Sequence, residues 1–140
     1  MFKKKNNYIF LNWVLAVSWV GLIFYLSSIP SFPVELSAKQ YGVTSSIVHV
    51  MLYIILTWLL IRAFISSGVT KTRAFFYGFF LSILYGISDE IHQLFVPGRE
   101  AHLTDWLLDL AGSWVILSLY TYRYRNKIKT LTYSLIPPSH

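Results

Sequence analysis

Long uncharged, mostly apolar runs alternate with short charged segments along the chain. The first run extends from Asn6 to Val34 and the second from Gln40 to Ile61. A helix of about 20 apolar residues crosses the hydrocarbon core of a bilayer. These two runs therefore predict transmembrane helices over about 8–29 and 46–64.

The next two apolar runs are shorter. Fifteen uncharged residues separate Arg73 from Asp89, and thirteen separate Asp109 from Arg123. At about 1.5 Å per residue these runs cover about 22 Å and about 20 Å, less than the hydrocarbon core. To span, each helix must carry its carboxylates into the outer part of the membrane. The third and fourth spans are then about 73–95 and 103–122. The pattern predicts an all-α membrane protein with four transmembrane helices.

The distribution of charge predicts the orientation of these helices. Ten of the twelve basic residues lie in the N-terminus, between the second and third spans, or after the fourth span. The other two, Lys39 and Arg99, lie with all six acidic residues on the opposite side. Basic residues favour short cytoplasmic loops, so both termini are predicted to be cytoplasmic. The expected organisation is a basic N-terminus (1–7), a transmembrane domain (8–122) and a basic cytoplasmic tail (123–140).

Composition narrows the possible functions. Charged residues make up 13% of the chain, against about 25% in soluble domains. The net charge of +6 is explained by membrane orientation, so no nucleic-acid partner is predicted. The absence of cysteine excludes disulfides, thiolate metal sites and cysteine nucleophiles. A cleaved signal peptide is the alternative for the first run, but that run is too long and no small-x-small site follows it. Association of the small bundle with copies of itself is a general expectation.

One polar stretch, 88–109, holds five of the six acidic residues. Asp89 and Gln93 are four residues apart, as are Asp105 and Asp109, so each pair shares a helix face. His49 and Tyr53 have the same spacing near the outer end of the second span. Ionisable groups inside membrane spans are costly and often mark functional sites. The predicted ligand-binding residues are His49, Tyr53, Asp89, Glu90, Gln93, Arg99, Asp105 and Asp109.

The chemistry of this set is open. Asp89, Glu90, Asp105 and Asp109 are candidate catalytic acids and bases, although no nucleophile motif accompanies them. They could equally form a structural network, but one arginine cannot neutralise four carboxylates. Arg99 is either an anion contact or an anchor of the turn at the headgroups. No recognised metal-ligand spacing is present, so neither a metal nor a cofactor is predicted.

The motif Asp89-Glu90-x-x-Gln93-x-Phe95-x-Pro97-Gly98-Arg99, followed by Asp105-x-x-x-Asp109-x-x-Gly112, resembles the signature of the VanZ-like membrane protein family. The upstream His49-x-x-x-Tyr53 is similar to the other recurring element of that family, and the resemblance covers about residues 10–120. It implies a multi-pass protein of the bacterial cytoplasmic membrane, associated with low-level resistance to the glycopeptide teicoplanin. It implies a phenotype rather than a reaction.

Three functions fit these expectations. An outer-leaflet polar pocket could bind a lipid headgroup or a polyprenyl-linked cell-wall precursor. Paired carboxylates could instead serve an enzyme acting on a phosphorylated or glycosylated lipid. A small transporter is the third, but the inner halves of the last three spans lack ionisable groups.

Overall fold

Four α-helices make up the fold in the computed structural model, which describes residues 2–30, 38–97, 99 and 103–135. They are α1 (Phe2–Ser27), α2 (Ala38–Ser66), α3 (Lys71–Gln93) and α4 (Leu103–Leu135). No strand occurs in these described ranges. The predicted all-α, four-helix fold is confirmed.

Three of the helices are long and apolar enough to cross a membrane within the described part of the chain. These segments are Asn6–Ser27 in α1, Ile47–Ser66 in α2 and all of α3. The helix α4 is 33 residues long, but it carries Asp105 and Asp109 in its first turns and is more polar. Length and apolar composition therefore identify a membrane protein.

The helix α2 lies at the centre of the bundle. It packs against α1, α3 and α4, whereas α1 and α4 do not meet within the described residues. The apolar core is formed by residues of α1 and α2. It comprises Ala16, Ile23, Tyr53, Leu56, Leu59 and Leu60. Every other helix is therefore positioned against α2.

Small residues let the helices approach closely. Ala74, Gly78, Ser82 and Gly86 follow one another at four-residue intervals along α3, and all four are buried. A methyl group at Gly78 would lie 2.7 Å from Cγ1 and 3.1 Å from the backbone nitrogen of Ile61. Glycine therefore brings α3 nearly to backbone contact with α2, as is common between membrane helices.

A glycine also lets α4 approach α2 closely. A methyl group at Gly112 would lie 2.5 Å from the carbonyl oxygen of Val50 and 3.3 Å from the backbone nitrogen of Ile54. Both neighbours are backbone atoms, which cannot move aside as a flexible side chain would. This contact therefore determines the position of α4 along the axis of α2.

Three hydroxyl groups meet halfway along the bundle, one from each of α2, α3 and α4. Thr57 Oγ1 lies 3.0 Å from Ser82 Oγ and 3.1 Å from Ser113 Oγ. Ser82 donates to the carbonyl of Phe79, and Ser113 donates to the carbonyl of Asp109. Since both serine protons are engaged, Thr57 is the donor at the centre of this hydroxyl triangle.

Consecutive helices run in opposite directions, so the ends of α1 and α3 lie at the same end of the bundle as the starts of α2 and α4. The helices α2 and α3 are joined by a tight turn in which Gly68 has a φ of 89°, a conformation that glycine adopts without cost. Ser27 at the end of α1 contacts Asp89 near the end of α3, and His49 in α2 contacts Asp109 near the start of α4. We call this the acidic end of the bundle.

Candidate functional site

A histidine–carboxylate pair connects α2 to α4 at the acidic end. His49 Nδ1 lies 2.9 Å from Asp109 Oδ1. The Asp109 side chain is 1% exposed, so it is surrounded almost entirely by protein groups. Buried charges survive when they are paired. The sequence placed both residues near the outer ends of their spans, and the structure brings them into direct contact.

Asp89 has both carboxylate oxygens occupied. Ser27 Oγ donates to Oδ1 at 2.6 Å, and Gln93 Nε2 donates to Oδ2 at 3.0 Å. Asp89 is 4% exposed and Gln93 2% exposed. Because Asp89 and Gln93 share a helix face, Gln93 can donate a hydrogen bond to Asp89. Ser27 adds a second donor from α1. Each oxygen of this carboxylate therefore accepts one hydrogen bond from a described side chain.

Other buried polar atoms have no hydrogen-bond partner among the described residues. They are Tyr53 Oη, Glu90 Oε1, Glu90 Oε2, Trp106 Nε1 and Asp109 Oδ2. Buried polar groups are nearly always hydrogen-bonded, because leaving one unpaired costs free energy. Five such atoms at one end of a small bundle leave hydrogen-bonding capacity that the described residues do not use.

These atoms surround a glycine of α3. A methyl group at Gly86 would lie 3.3 Å from Cε1 of Tyr53, 3.4 Å from Oδ2 of Asp109 and 3.5 Å from Cδ1 of Trp106. Glu90 follows Gly86 by one helical turn, on the same face. We call Tyr53, Glu90, Trp106 and Asp109 the Gly86 cluster. It joins α2, α3 and α4 on the end of the bundle where Asp89 and His49 also lie.

Arg99 binds backbone carbonyls rather than a carboxylate. Its Nε donates to the carbonyl of Ile29 at 2.9 Å, and its Nη2 donates to the carbonyl of Leu26 at 3.0 Å. Carbonyls at a helix C-terminus lack partners within the helix. Arg99 therefore ties the end of α1 to the turn after α3. Within the described ranges the His49–Asp109 pair is the one ion pair.

Asp105 precedes Asp109 by one turn of α4 and is half-buried. No hydrogen bond joins it to another described side chain. Asp105 is therefore a further acidic residue at this end of the bundle. All eight predicted site residues lie at the acidic end, where Arg99 binds carbonyls at the end of α1 rather than a carboxylate.

Several contacts at this end were not anticipated from the sequence. Ser28 Oγ lies 2.9 Å from Nε2 of His92, whose ring stacks on Phe24 with centroids 4.3 Å apart. Ser27 and Trp106 were also missed. Serines inside an apolar run and a tryptophan near a membrane interface have no distinctive pattern. The four-residue spacing of Gly86 and Glu90 was a readable signal for a shared face.

The polar groups at this end can be described by the hydrogen bonds that they can make. No group of three or more histidine, aspartate or glutamate side chains is placed to hold a metal ion in the described part of the chain. The Gly86 cluster instead presents three carboxylate acceptors, a hydroxyl and an indole N–H. The cluster thus contains both acceptors and donors.

These features define a helical membrane protein with a polar cluster at one end of its bundle. A family model described as VanZ/LLP1 matches residues 7–125. The chain belongs to the VanZ/LLP1 family, as its acidic motif predicted. No curated protein and no solved structure matches it.

Proposed function

We propose that the protein acts in the bacterial cell envelope and lowers sensitivity to teicoplanin. A polar site at the outer face of the membrane would bind a lipid headgroup or a lipid-linked ligand, with a polyprenyl-linked cell-wall precursor as a candidate partner. The observation that carries this proposal is the Gly86 cluster, whose five unpartnered polar atoms lie at one end of a membrane bundle.

The depth of the cluster supports a headgroup ligand. His49 lies near the start of the apolar segment Ile47–Ser66, and Glu90 near the end of the apolar segment Lys71–Gln93. Both therefore lie close to one membrane surface rather than at its centre. The basic residues of the chain are concentrated at the opposite end, which favours an extracytoplasmic location for the cluster.

Binding accounts for these atoms more directly than catalysis does. The cluster offers acceptors and donors. Two serines of the acidic end contact a possible base, Ser27 at Asp89 and Ser28 at His92, but neither is one of the unpartnered groups of the cluster. The hydroxyl triangle is engaged below it. A ligand can therefore be held by the unpartnered groups themselves, whereas a nucleophile would have to come from outside them.

An enzyme acting on a phosphorylated or glycosylated lipid is the second candidate, because two carboxylates differ in environment. Asp89 accepts two hydrogen bonds, whereas the adjacent Glu90 accepts none from described residues. Such a difference can separate an acid from a base. Turnover of such a lipid by purified protein, abolished by Glu90→Gln, would establish this function. Absence of turnover across both lipid classes would exclude it for them.

Teicoplanin susceptibility in a sensitive bacterium tests the main proposal. Four strains are compared at matched membrane abundance: empty vector, native protein, Asp109→Asn and Glu35→Gln. Glu35 lies between α1 and α2 in the sequence, is not one of the predicted site residues, and provides a matched loss of one acid. Native protein and Glu35→Gln should raise tolerance, and Asp109→Asn should not. Equal tolerance in all three protein-expressing strains would remove Asp109 from the mechanism, and no gain with native protein would refute the resistance function.

A further inference from the structure

The Gly86 cluster is asymmetric in its hydrogen-bonding needs. Three of its unpartnered atoms are carboxylate oxygens of Glu90 and Asp109, which accept when ionised. Tyr53, a side chain of a different kind from another helix, is 1% exposed and its hydroxyl also has no described partner. Tyr53 and Asp109 both approach the same point beside Gly86. The cluster is thus built to meet a group that mainly donates hydrogen bonds.

Charge favours a cation in the same place. Asp89, Glu90, Asp105 and Asp109 all lie at the acidic end. Two cationic groups of the described residues are already engaged: His49 pairs with Asp109, and the Arg99 guanidinium binds the carbonyls that end α1. An anionic phosphate at the Gly86 cluster would face carboxylates without a free cation from the described residues. Like charges in a low-dielectric site repel strongly.

We propose that the Gly86 cluster recognises a primary ammonium group; this deepens, and rests on, the proposed binding of a headgroup or lipid-linked ligand. Glu90 and Asp109 accept the N–H donors of the ammonium. Tyr53 and Trp106 donate to an oxygen close to it, as in an ethanolamine group. A primary ammonium has three N–H donors, whereas a quaternary ammonium has none. The site therefore separates these two cations by hydrogen bonding rather than by charge.

Native mass spectrometry of the full-length protein tests this recognition. Purified protein is exchanged into a mixture of phosphatidylethanolamine, phosphatidylcholine, phosphatidylglycerol and a polyprenyl phosphate, with identical acyl chains in the three phospholipids. Free ethanolamine is added in a parallel series. Loss of one charged hydrogen bond changes affinity by about tenfold, so native protein should retain phosphatidylethanolamine about tenfold over phosphatidylcholine.

The variants assign the effect to the cluster. Glu90→Gln and Tyr53→Phe should each reduce the ethanolamine-over-choline preference severalfold, while Glu35→Gln should keep it. Two variants are used because they differ in kind: one removes a carboxylate, and the other removes a hydroxyl at constant ring volume. Unchanged helical circular dichroism and a single species in solution qualify each variant for comparison.

Each outcome decides the inference. Displacement of the lipid by free ethanolamine supports recognition of the ammonium itself, and resistance to displacement supports recognition of the whole headgroup. Equal retention of ethanolamine and choline lipids, or a preference for phosphatidylglycerol or polyprenyl phosphate, overturns the proposal. The teicoplanin assay is read separately. Tolerance that depends on Asp109 without ammonium preference would leave the proposed function intact and refute the ligand class alone.

Discussion

His49 and Asp109 hold α2 and α4 together through a single contact of 2.9 Å in which the carboxylate is almost completely buried. One oxygen of Asp109 is committed to this contact, and the other faces the Gly86 cluster. The same side chain therefore joins a packing interaction to the candidate ligand site.

Replacement of His49 by leucine should destabilise the protein. It leaves the Asp109 carboxylate buried without its partner, which costs about 3–5 kcal/mol when a buried pair is broken. Combining His49→Leu with Asp109→Leu should recover part of this loss, because no buried charge remains. Unfolding in mixed detergent micelles, followed by circular dichroism, measures the four species of this cycle. Strictly additive losses would show that the two residues do not interact.

Gly112→Ala should be far more harmful than Gly21→Ala. The new methyl group at position 112 would meet the Val50 carbonyl at 2.5 Å, whereas nothing lies within 4 Å of one at position 21. Overpacking of this kind costs about 1–3 kcal/mol. Removing a glycine from the interior of α1 should instead stabilise it by about 0.5–1 kcal/mol. Thermal unfolding in the same detergent compares the two variants, and equal melting temperatures would refute the close approach of α4 to α2.

Thr57→Val should loosen the packing of three helices. The substitution removes the donor of the hydroxyl triangle and leaves the Ser82 and Ser113 oxygens facing each other without it. Hydrogen bonds between membrane helices contribute about 0.6 kcal/mol on average, up to about 1.7 kcal/mol. Thr121→Val is the matched control, because that hydroxyl bonds to its own helix at an exposed position. A control variant as unstable as Thr57→Val would contradict the prediction.

Arg99→Gln should free the end of α1. Two hydrogen bonds from one guanidinium to the carbonyls of Leu26 and Ile29 are lost. Bonds from charged donors contribute about 1.5–3 kcal/mol, so backbone amide exchange near Leu26 should accelerate at least tenfold. Hydrogen-exchange mass spectrometry reports this locally, with the exposed Arg123→Gln as the control for loss of charge. Unchanged exchange near Leu26 would show that Arg99 does not cap α1.

Cysteine labelling tests the predicted orientation. The chain contains no cysteine, so each introduced cysteine is its only thiol. Pro30→Cys lies just beyond α1 at the acidic end, and Thr70→Cys lies in the turn between α2 and α3; both positions are exposed. A membrane-impermeant maleimide should label Pro30→Cys in intact cells and Thr70→Cys only after lysis. The reverse pattern would place the acidic end in the cytoplasm.

The helices were predictable because membrane spans can be recognised by their length and apolar composition. The grouping of His49 with the carboxylates was also predictable. Four-residue spacings place Asp89 with Gln93 and Asp105 with Asp109, and alternating helix directions bring these levels together. The motif itself indicated the family that the match over residues 7–125 identifies.

Individual partners were harder to predict. The sequence shows that Arg99 is close to acidic residues along the chain. It does not show that Arg99 binds two backbone carbonyls at the end of α1, because such acceptors have no sequence signature. Ser27 is one of several hydroxyl residues in an apolar run, and only packing selects it for Asp89. The four-residue spacing of the small residues in α3 indicates a shared helix face. The sequence does not indicate the helix that this face contacts, because that depends on the fold.

The hydroxyl triangle and the glycine contact at Gly78 tie α3 to α2 farther from the acidic end than the Gly86 cluster. Ser82 lies one helical turn from Gly78 and one turn from Gly86 on the same face of α3. The position of Gly86 beside Tyr53 is therefore set by packing two turns away. A substitution that moves α3 along α2 would change the Gly86 cluster without altering any of its members.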